Sequence, residues 1–244
     1  MLEAGCAITT FDLVDNSPSG RCLVACSPGR RTVACRPVTA TSDSTPPDGT
    51  GYDALIFDWD GTLVDSREIC FAGLSRALAD VGVTLDPRWY WPREAIATPD
   101  LLVLWEQQFG PLPEVIDEII VRCRTYVMAA ADQLVVLDEH VRIAKAARSR
   151  GQRLAIGSNS STNTVAAGLA ATGLGHLFDT VVTWSDVPAG RGKPAPDIFL
   201  LAAQRMNVPP RQCLVYEDAD AGIEAALAAE MSCYNVRTGQ LHRP

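Results

Sequence analysis

The chain has 244 residues, of which 47% are hydrophobic and 20% are charged, a composition that fits a globular protein with a sizeable core and excludes wholesale disorder. Its formal net charge of -8 opposes binding to a nucleic-acid backbone, so we expect no nucleic-acid partner. No run of about 18 apolar residues occurs, and we expect no membrane partner. The first residues also lack the basic start and apolar middle of a signal peptide, which favours a cytoplasmic location.

The first 50 residues are rich in Ser, Thr, Pro and Gly, and this composition predicts a disordered extension. An organellar targeting segment is disfavoured because acidic residues occur where such peptides avoid them. The spacing Cys22-x3-Cys26-x8-Cys35 matches no zinc template, so we expect no metal site in the extension. The later cysteines lie among apolar neighbours, which indicates reduced core residues and a reducing compartment: Cys70, Cys123, Cys213 and Cys233.

From Asp53 onward, short apolar runs alternate with amphipathic segments, a pattern typical of βα units and a mainly parallel sheet. Five runs are predicted to be strands: Ala54–Phe57, Arg153–Gly157, Thr180–Trp184, Cys213–Tyr216 and Cys233–Val236. Four segments between them are predicted to be helices: His140–Arg150, Thr162–Gly173, Asp197–Asn207 and Ala221–Glu230. The sequence therefore predicts an α/β fold.

The interval from about Ser66 to Gln133 interrupts this alternation, because its pattern is helical throughout. We predict helices over Ile69–Val81, Pro99–Phe109 and Pro113–Ala131. A helical insertion of this length after the first strand predicts a second, smaller domain.

Two aspartates directly follow the first predicted strand. Asp58 and Asp60 are separated by one residue in a turn that contains Gly61, at the end of a strand where open α/β sheets bind ligands. Two carboxylates this close repel each other when both are ionised, so the pair requires either Mg²⁺ or a shared proton. A solvated Asp-x-Asp-Gly turn is the alternative that this motif alone leaves open.

Ser158 ends the second predicted strand, immediately before a predicted helix. Its hydroxyl and the neighbouring backbone N–H groups can bind a phosphate oxygen at the N-terminus of that helix. Simple N-capping by Ser160 or Ser161 is the alternative explanation for hydroxyl residues in this segment.

Lys193 is one of only two lysines in the chain and lies in a loop of glycines and prolines. From such a rigid loop it can present a point charge to an anion, although a surface lysine is the alternative. Glu217 and Asp218 follow a further apolar run, and their carboxylates should lie at the same edge of the sheet as Asp58. Oxygen ligands of this kind bind hard divalent cations such as Mg²⁺.

In their order along the chain, these four motifs resemble those of the haloacid dehalogenase-like hydrolase superfamily, in particular its phosphatases and phosphoglucomutase-like enzymes with an inserted helical cap. The resemblance covers about residues 53–236. It implies a doubly wound, Rossmann-like α/β core formed by residues 51–65 and 136–244, and an all-helical cap domain formed by residues 66–135.

The resemblance implies catalytic and metal-binding roles for the four acidic residues. Asp58 would be the nucleophile that forms an aspartyl-phosphate, and Asp60 would be the general acid and base. Mg²⁺ would be bound by the Asp58 side chain, the Asp60 carbonyl and Asp218. Glu217 would be either a direct ligand or a partner of one.

The resemblance likewise implies that Ser158 and Lys193 bind and orient the phosphoryl oxygens, with Asn159 contributing its backbone N–H. The partner would be a small phosphorylated metabolite, of the sugar-phosphate or phosphoglycolate type. The enzyme would hydrolyse this phosphate monoester as a monomer or a small homo-oligomer.

Other branches of the family fit the sequence less well. Carbon–halide dehalogenases lack the second aspartate, which is present here as Asp60, and phosphonate-cleaving members need a cap lysine, whereas residues 66–135 contain none. Cys70 stands where sugar-phosphate mutases commonly carry a histidine, which weakens that alternative. A mutase and a catalytically idle binding module remain the alternatives to a phosphatase.

Overall fold

The computed structural model of the chain describes residues 46–94 and 96–244. Its strands, in chain order, are β1 (Ala54–Phe57), β2 (Val64–Asp65), β3 (Val135–Val136), β4 (Arg153–Ser158), β5 (Thr180–Thr183), β6 (Cys213–Glu217), β7 (Ser232–Asn235) and β8 (Gln240–His242). Six of them form one sheet in the order β5-β4-β1-β6-β7-β8, and β2 pairs with β3 in a separate antiparallel sheet. All neighbours in the larger sheet are parallel except β7 and β8.

The described residues form the α-helices α1 (Arg67–Ala79), α2 (Pro87–Tyr90), α3 (Thr98–Phe109), α4 (Ile116–Ala129), α5 (Asp138–Ser149), α6 (Thr162–Thr172), α7 (Asp197–Met206) and α8 (Asp220–Ala228). The predicted α/β fold with a mainly parallel sheet is confirmed. The five predicted strands are present with ends shifted by no more than one residue. The elements that were not predicted are the short ones: β2, β3, β8 and α2.

Strand β1 forms the centre of the sheet because it is apolar on both faces. Ala54 and Ile56 pack into the hydrophobic cluster on one face of the sheet, while Leu55 and Phe57 pack into the cluster on the other face. Burial on both faces explains why this strand is a continuous apolar run rather than an alternating one. Its parallel neighbours β4 and β6 end at the same edge, so the residues that follow all three strands come together there.

The residues between β2 and β3, which we call the helical insertion, contain α1 to α4. The insertion has its own hydrophobic cluster, whose fully buried members include Leu78 and Ile119. It leaves and re-enters the α/β part through the β2–β3 pair, where Val64 lies opposite Val136. The division of the chain into a core and a cap domain stays a prediction.

The last residues of the predicted extension contact the α/β part. The Gly49 carbonyl accepts hydrogen bonds from the Tyr52 N–H and from the Gln152 side chain, and the Tyr216 hydroxyl donates to the Pro47 carbonyl. The rest of the extension, residues 1–45, lies outside the described residues, and so does the cysteine spacing discussed above.

The four later cysteines have free thiols, as predicted for reduced core residues; Cys123, Cys213 and Cys233 are buried, and Cys70 is half-buried. None of the described helices is long and apolar enough to cross a membrane.

The cluster of the helical insertion generates a stability prediction. Ile119→Ala should lower the free energy of unfolding by about 2–5 kcal/mol, because Ile119 is 0% exposed and its truncation leaves a cavity. Val121→Ala, on the same helix but 56% exposed, should change it by less than about 0.5 kcal/mol. Urea denaturation measures both, and equal effects would contradict the assigned packing.

Candidate active site

Asp58 directly follows β1, so strand pairing on both sides sets its position. Its N–H donates to the Tyr216 carbonyl at 2.9 Å, and its side chain is buried. The turn that follows needs a glycine, because Gly61 has φ +82° and a Cβ there would lie 2.5 Å from an Asp218 oxygen. The backbone of the turn therefore approaches the carboxylate of Asp218 closely.

Asp58, Glu217 and Asp218 form a buried acidic cluster, and one carboxylate oxygen from each lies within 4.8 Å of the others. Burial raises the pKa of Asp58 well above its ordinary value, the neighbouring Glu217 raises it further, and Lys193 opposes this shift. Burial also raises the pKa of Glu217 and of Asp218, against the opposing effect of nearby cations. Burial therefore disfavours the ionised form of all three carboxyl groups, and a cation within the cluster would offset this effect.

The donor set of the acidic cluster fits a divalent cation. Glu217 Oε2 makes no hydrogen bond with any described residue and lies 3.5 Å from Lys193 Nζ. A Cβ at Gly222 would lie 1.8 Å from Glu217 Oε1, so the glycine leaves the space that this side chain occupies. Three hard carboxylate ligands with one unsatisfied oxygen match the chemistry that Mg²⁺ prefers.

Lys193 supplies the positive charge next to Asp58. Its Nζ lies 2.5 Å from Asp58 Oδ1, and the side chain is buried. Burial alone would lower the pKa of Lys193, but the carboxylates of Asp58 and Glu217 raise it above its ordinary value, so the amine stays charged. Asn159 fixes the lysine loop, because its side chain accepts from the Lys193 N–H at 2.8 Å and donates to the Lys193 carbonyl at 3.2 Å.

The Asp60 side chain lies outside the acidic cluster and is bound by serine hydroxyls. Ser66 donates to Asp60 Oδ1 at 2.5 Å, and Ser160 donates to Oδ2 at 2.7 Å. Ser158 Oγ lies 3.4 Å from Oδ2, while the N-cap of α6 is Ser161. Two hydroxyls therefore orient the Asp60 carboxylate, which is a role that the sequence pattern did not predict for Ser66 or Ser160.

Six of the seven predicted site residues line a single cavity, and the exception is Ser158, which is fully buried and does not line it. The α/β part supplies the charged wall of this cavity. The helical insertion supplies a wall that includes Cys70, Leu74, Tyr90, Leu101, Ile120 and Arg124. Arg237 also lines the cavity and lies 2.8 Å from Asp218 Oδ2, a contact that no sequence motif indicated.

Comparison with known proteins identifies the family that this geometry belongs to. Residues 52–230 match the model of the haloacid dehalogenase-like hydrolases. The chain is 35% identical to the fructose-1-phosphate phosphatase YqaB of Escherichia coli K12, over 76% of this chain and 97% of the relative. It is 30% identical to protein CbbY of Rhodobacter capsulatus, over 72% of this chain and 81% of that protein.

Solved structures show the same architecture. The crystal structure of CbbY from Rhodobacter sphaeroides in complex with phosphate has a TM-score of 0.69 and 25% identity, covering 75% of this chain and 84% of that one. A β-phosphoglucomutase from Clostridium difficile has a TM-score of 0.65 at 22% identity, with the same coverage. These likenesses confirm the predicted doubly wound α/β fold.

The acidic cluster generates a binding prediction. Mg²⁺ should raise the Tm, because an ion that binds only the folded chain stabilises it by about 2.7 kcal/mol at a concentration 100 times its Kd. Asp218→Asn should lose most of this gain, whereas Asp220→Asn, an exposed acid two residues further on, should keep it. Thermal denaturation with MgCl2 and with EDTA measures the effect, and an equal gain in both variants would contradict the assignment.

Proposed function

Given that this chain belongs to the haloacid dehalogenase-like hydrolase family, we propose that it is a Mg²⁺-dependent phosphatase acting on a small phosphate monoester of the sugar-phosphate type. The observation that carries the proposal is the buried contact of 2.5 Å between Lys193 Nζ and Asp58 Oδ1. It pairs a carboxylate nucleophile with a fixed cation at the place where an anionic phosphoryl group would have to bind. The name of the relative YqaB, a fructose-1-phosphate phosphatase, supports this substrate class.

The proposed reaction has two steps. An Asp58 oxygen attacks phosphorus and forms the aspartyl-phosphate bond, while the bond from phosphorus to the ester oxygen breaks and Asp60 protonates the leaving oxygen. Asp60 then takes a proton from a water molecule, whose oxygen attacks phosphorus and breaks the bond to Asp58. Inorganic phosphate leaves, and both aspartates return to their starting states.

Asp58, Glu217 and Asp218, with the Asp60 carbonyl, are the groups that would hold Mg²⁺. When bound, the ion neutralises negative charge on the phosphoryl oxygens. Lys193 contributes a second positive charge on the side of Asp58. In this proposal the Asn159 N–H binds a phosphoryl oxygen, and its side chain also holds the lysine loop. The predicted phosphate contact of Ser158 is not part of the proposal, because Ser158 is buried outside the cavity lining and its hydroxyl accepts from the Ser160 N–H.

The wall formed by the helical insertion would contact the rest of the substrate. Arg124 on α4 lines the cavity, and none of the described carboxylates pairs with it. The residues around Arg124 in this wall are largely apolar. We therefore expect its guanidinium to bind an anionic or hydroxylated group of the substrate. We propose that residues 66–135 act as a cap that closes over the substrate and excludes bulk water.

The phosphatase proposal predicts release of inorganic phosphate from a panel containing fructose 1-phosphate, other sugar phosphates and phosphoglycolate, with Mg²⁺ required. Asp58→Asn should lower kcat by at least about 10³-fold, because the amide cannot act as the nucleophile. Turnover in the native chain no greater than in Asp58→Asn would contradict the proposal. Formation of a sugar-phosphate isomer without free phosphate, stimulated by a bisphosphate, would favour a mutase instead.

The role of Arg124 predicts a change in substrate binding. Arg124→Gln should raise KM about 10-fold to 100-fold with a smaller change in kcat, since a charged hydrogen bond to the substrate is lost. Arg122→Gln is the matched control, because Arg122 pairs with Glu114 at 2.7 Å and does not line the cavity. Equal KM values for the two variants would show that Arg124 does not contact the substrate.

A further inference from the structure

One guanidinium connects the acidic cluster to the helical insertion. Arg237, in the turn between β7 and β8, lies 2.8 Å from Asp218 Oδ2 and 3.2 Å from Glu94 Oε1. Glu94 belongs to the helical insertion and also accepts a hydrogen bond from Arg67 Nε at 2.8 Å. Charges of alternating sign therefore extend from the acidic cluster into the insertion, in the order Asp218, Arg237, Glu94 and Arg67.

The backbone around Arg237 is held in place, so the guanidinium starts from a fixed point. The side chain of Asn235 accepts hydrogen bonds from the Arg237 N–H at 2.9 Å and from the Thr238 N–H at 3.1 Å. The strand pair β7–β8 encloses this turn on both sides. Arginine is suited to two carboxylates at once because its planar fork presents several N–H groups in fixed directions, which a lysine does not.

The two carboxylates that Arg237 contacts differ in burial. The Asp218 side chain is 8% exposed and Glu94 is 19% exposed, whereas Arg237 is half-exposed. A carboxylate as buried as Asp218 needs a partner that fixes its orientation, and ligands of a metal ion commonly have such a partner. The same guanidinium also contacts Glu94 and so links Asp218 to the helical insertion.

We propose that Arg237 is a positioning residue with two effects: it orients Asp218 for metal binding, and through Glu94 it holds the helical insertion against the mouth of the cavity. This inference rests on the proposed function only in taking Asp218 as a metal ligand. It makes the position of the insertion and the metal site depend on one side chain.

The two effects can be separated by two substitutions. Arg237→Gln should raise the Kd for Mg²⁺ about 10-fold, measured by isothermal titration calorimetry of the full chain, because Asp218 loses the group that orients it. Glu94→Gln should leave that Kd within about twofold, since the Arg237–Asp218 contact remains. Both variants should speed amide hydrogen exchange in residues 87–94 by about fivefold, the upper end for a partly exposed ion pair.

Arg211→Gln is the matched control, because Arg211 forms an exposed pair with Glu230 and precedes β6, at the edge of the sheet away from the cavity. It should change neither measurement. A Mg²⁺ Kd that is unchanged or lower in Arg237→Gln would overturn the effect on Asp218. Unchanged exchange in Arg237→Gln would overturn the effect on the insertion, because Glu94→Gln also removes the contact with Arg67. Neither readout uses turnover, so a chain that shows both effects but hydrolyses no phosphate ester would contradict only the proposed function.

Discussion

The placement of three carboxylates and one lysine in a single buried space is the constraint on which the rest of this site depends. Like charges repel strongly out of solvent, and an isolated buried charge is costly, so such a cluster persists only with cations in fixed positions. Lys193 meets this requirement for Asp58 and Glu217, and Arg237 meets it for Asp218. The remaining negative charge is what makes the cluster suited to a divalent ion.

The sheet and the helical insertion line different sides of the cavity. The carboxyl ends of β1 and β6 supply the carboxylates, and the loop before α7 supplies Lys193. Parallel strands end at the same edge of the sheet, and their pairing fixes the position of each group that follows them. The insertion supplies a largely apolar wall, with Arg124 as a cation that no described carboxylate neutralises. In the proposed function, the α/β part therefore carries out the reaction, and the helical insertion contacts the leaving group.

Local sequence patterns predicted the elements whose pattern is strong. Strand β1 was predicted with its observed bounds because its four apolar residues are buried on both faces of the sheet and the polar Asp58 marks its end. Strands β2, β3 and β8 were not predicted, because two or three residues are too few to show an alternation of apolar and polar side chains. The acidic cluster was predicted from motif order, since Asp58 and Asp218 directly follow strands of the same sheet and Glu217 ends one of them.

Side-chain contacts between residues that are separated in the sequence could not be predicted from the sequence alone. Ser66 and Ser160 both bind Asp60, yet neither lies in a pattern that distinguishes it from an ordinary capping serine. The role predicted for the Asn159 backbone N–H stays a prediction, whereas the contact of its side chain with the lysine loop was not predicted. Arg237 follows the last motif by 19 residues and reaches Asp218 only because β7 pairs with β6.

Acid-quench mass spectrometry during turnover of a sugar phosphate shows whether Asp58 accepts the phosphoryl group. We predict a phosphoryl group on the peptide that contains Asp58, formed in the presence of Mg²⁺ and absent from the Asp58→Asn variant. Phosphate release that proceeds with no phosphoryl group ever found on Asp58, or with one on another residue, would contradict it.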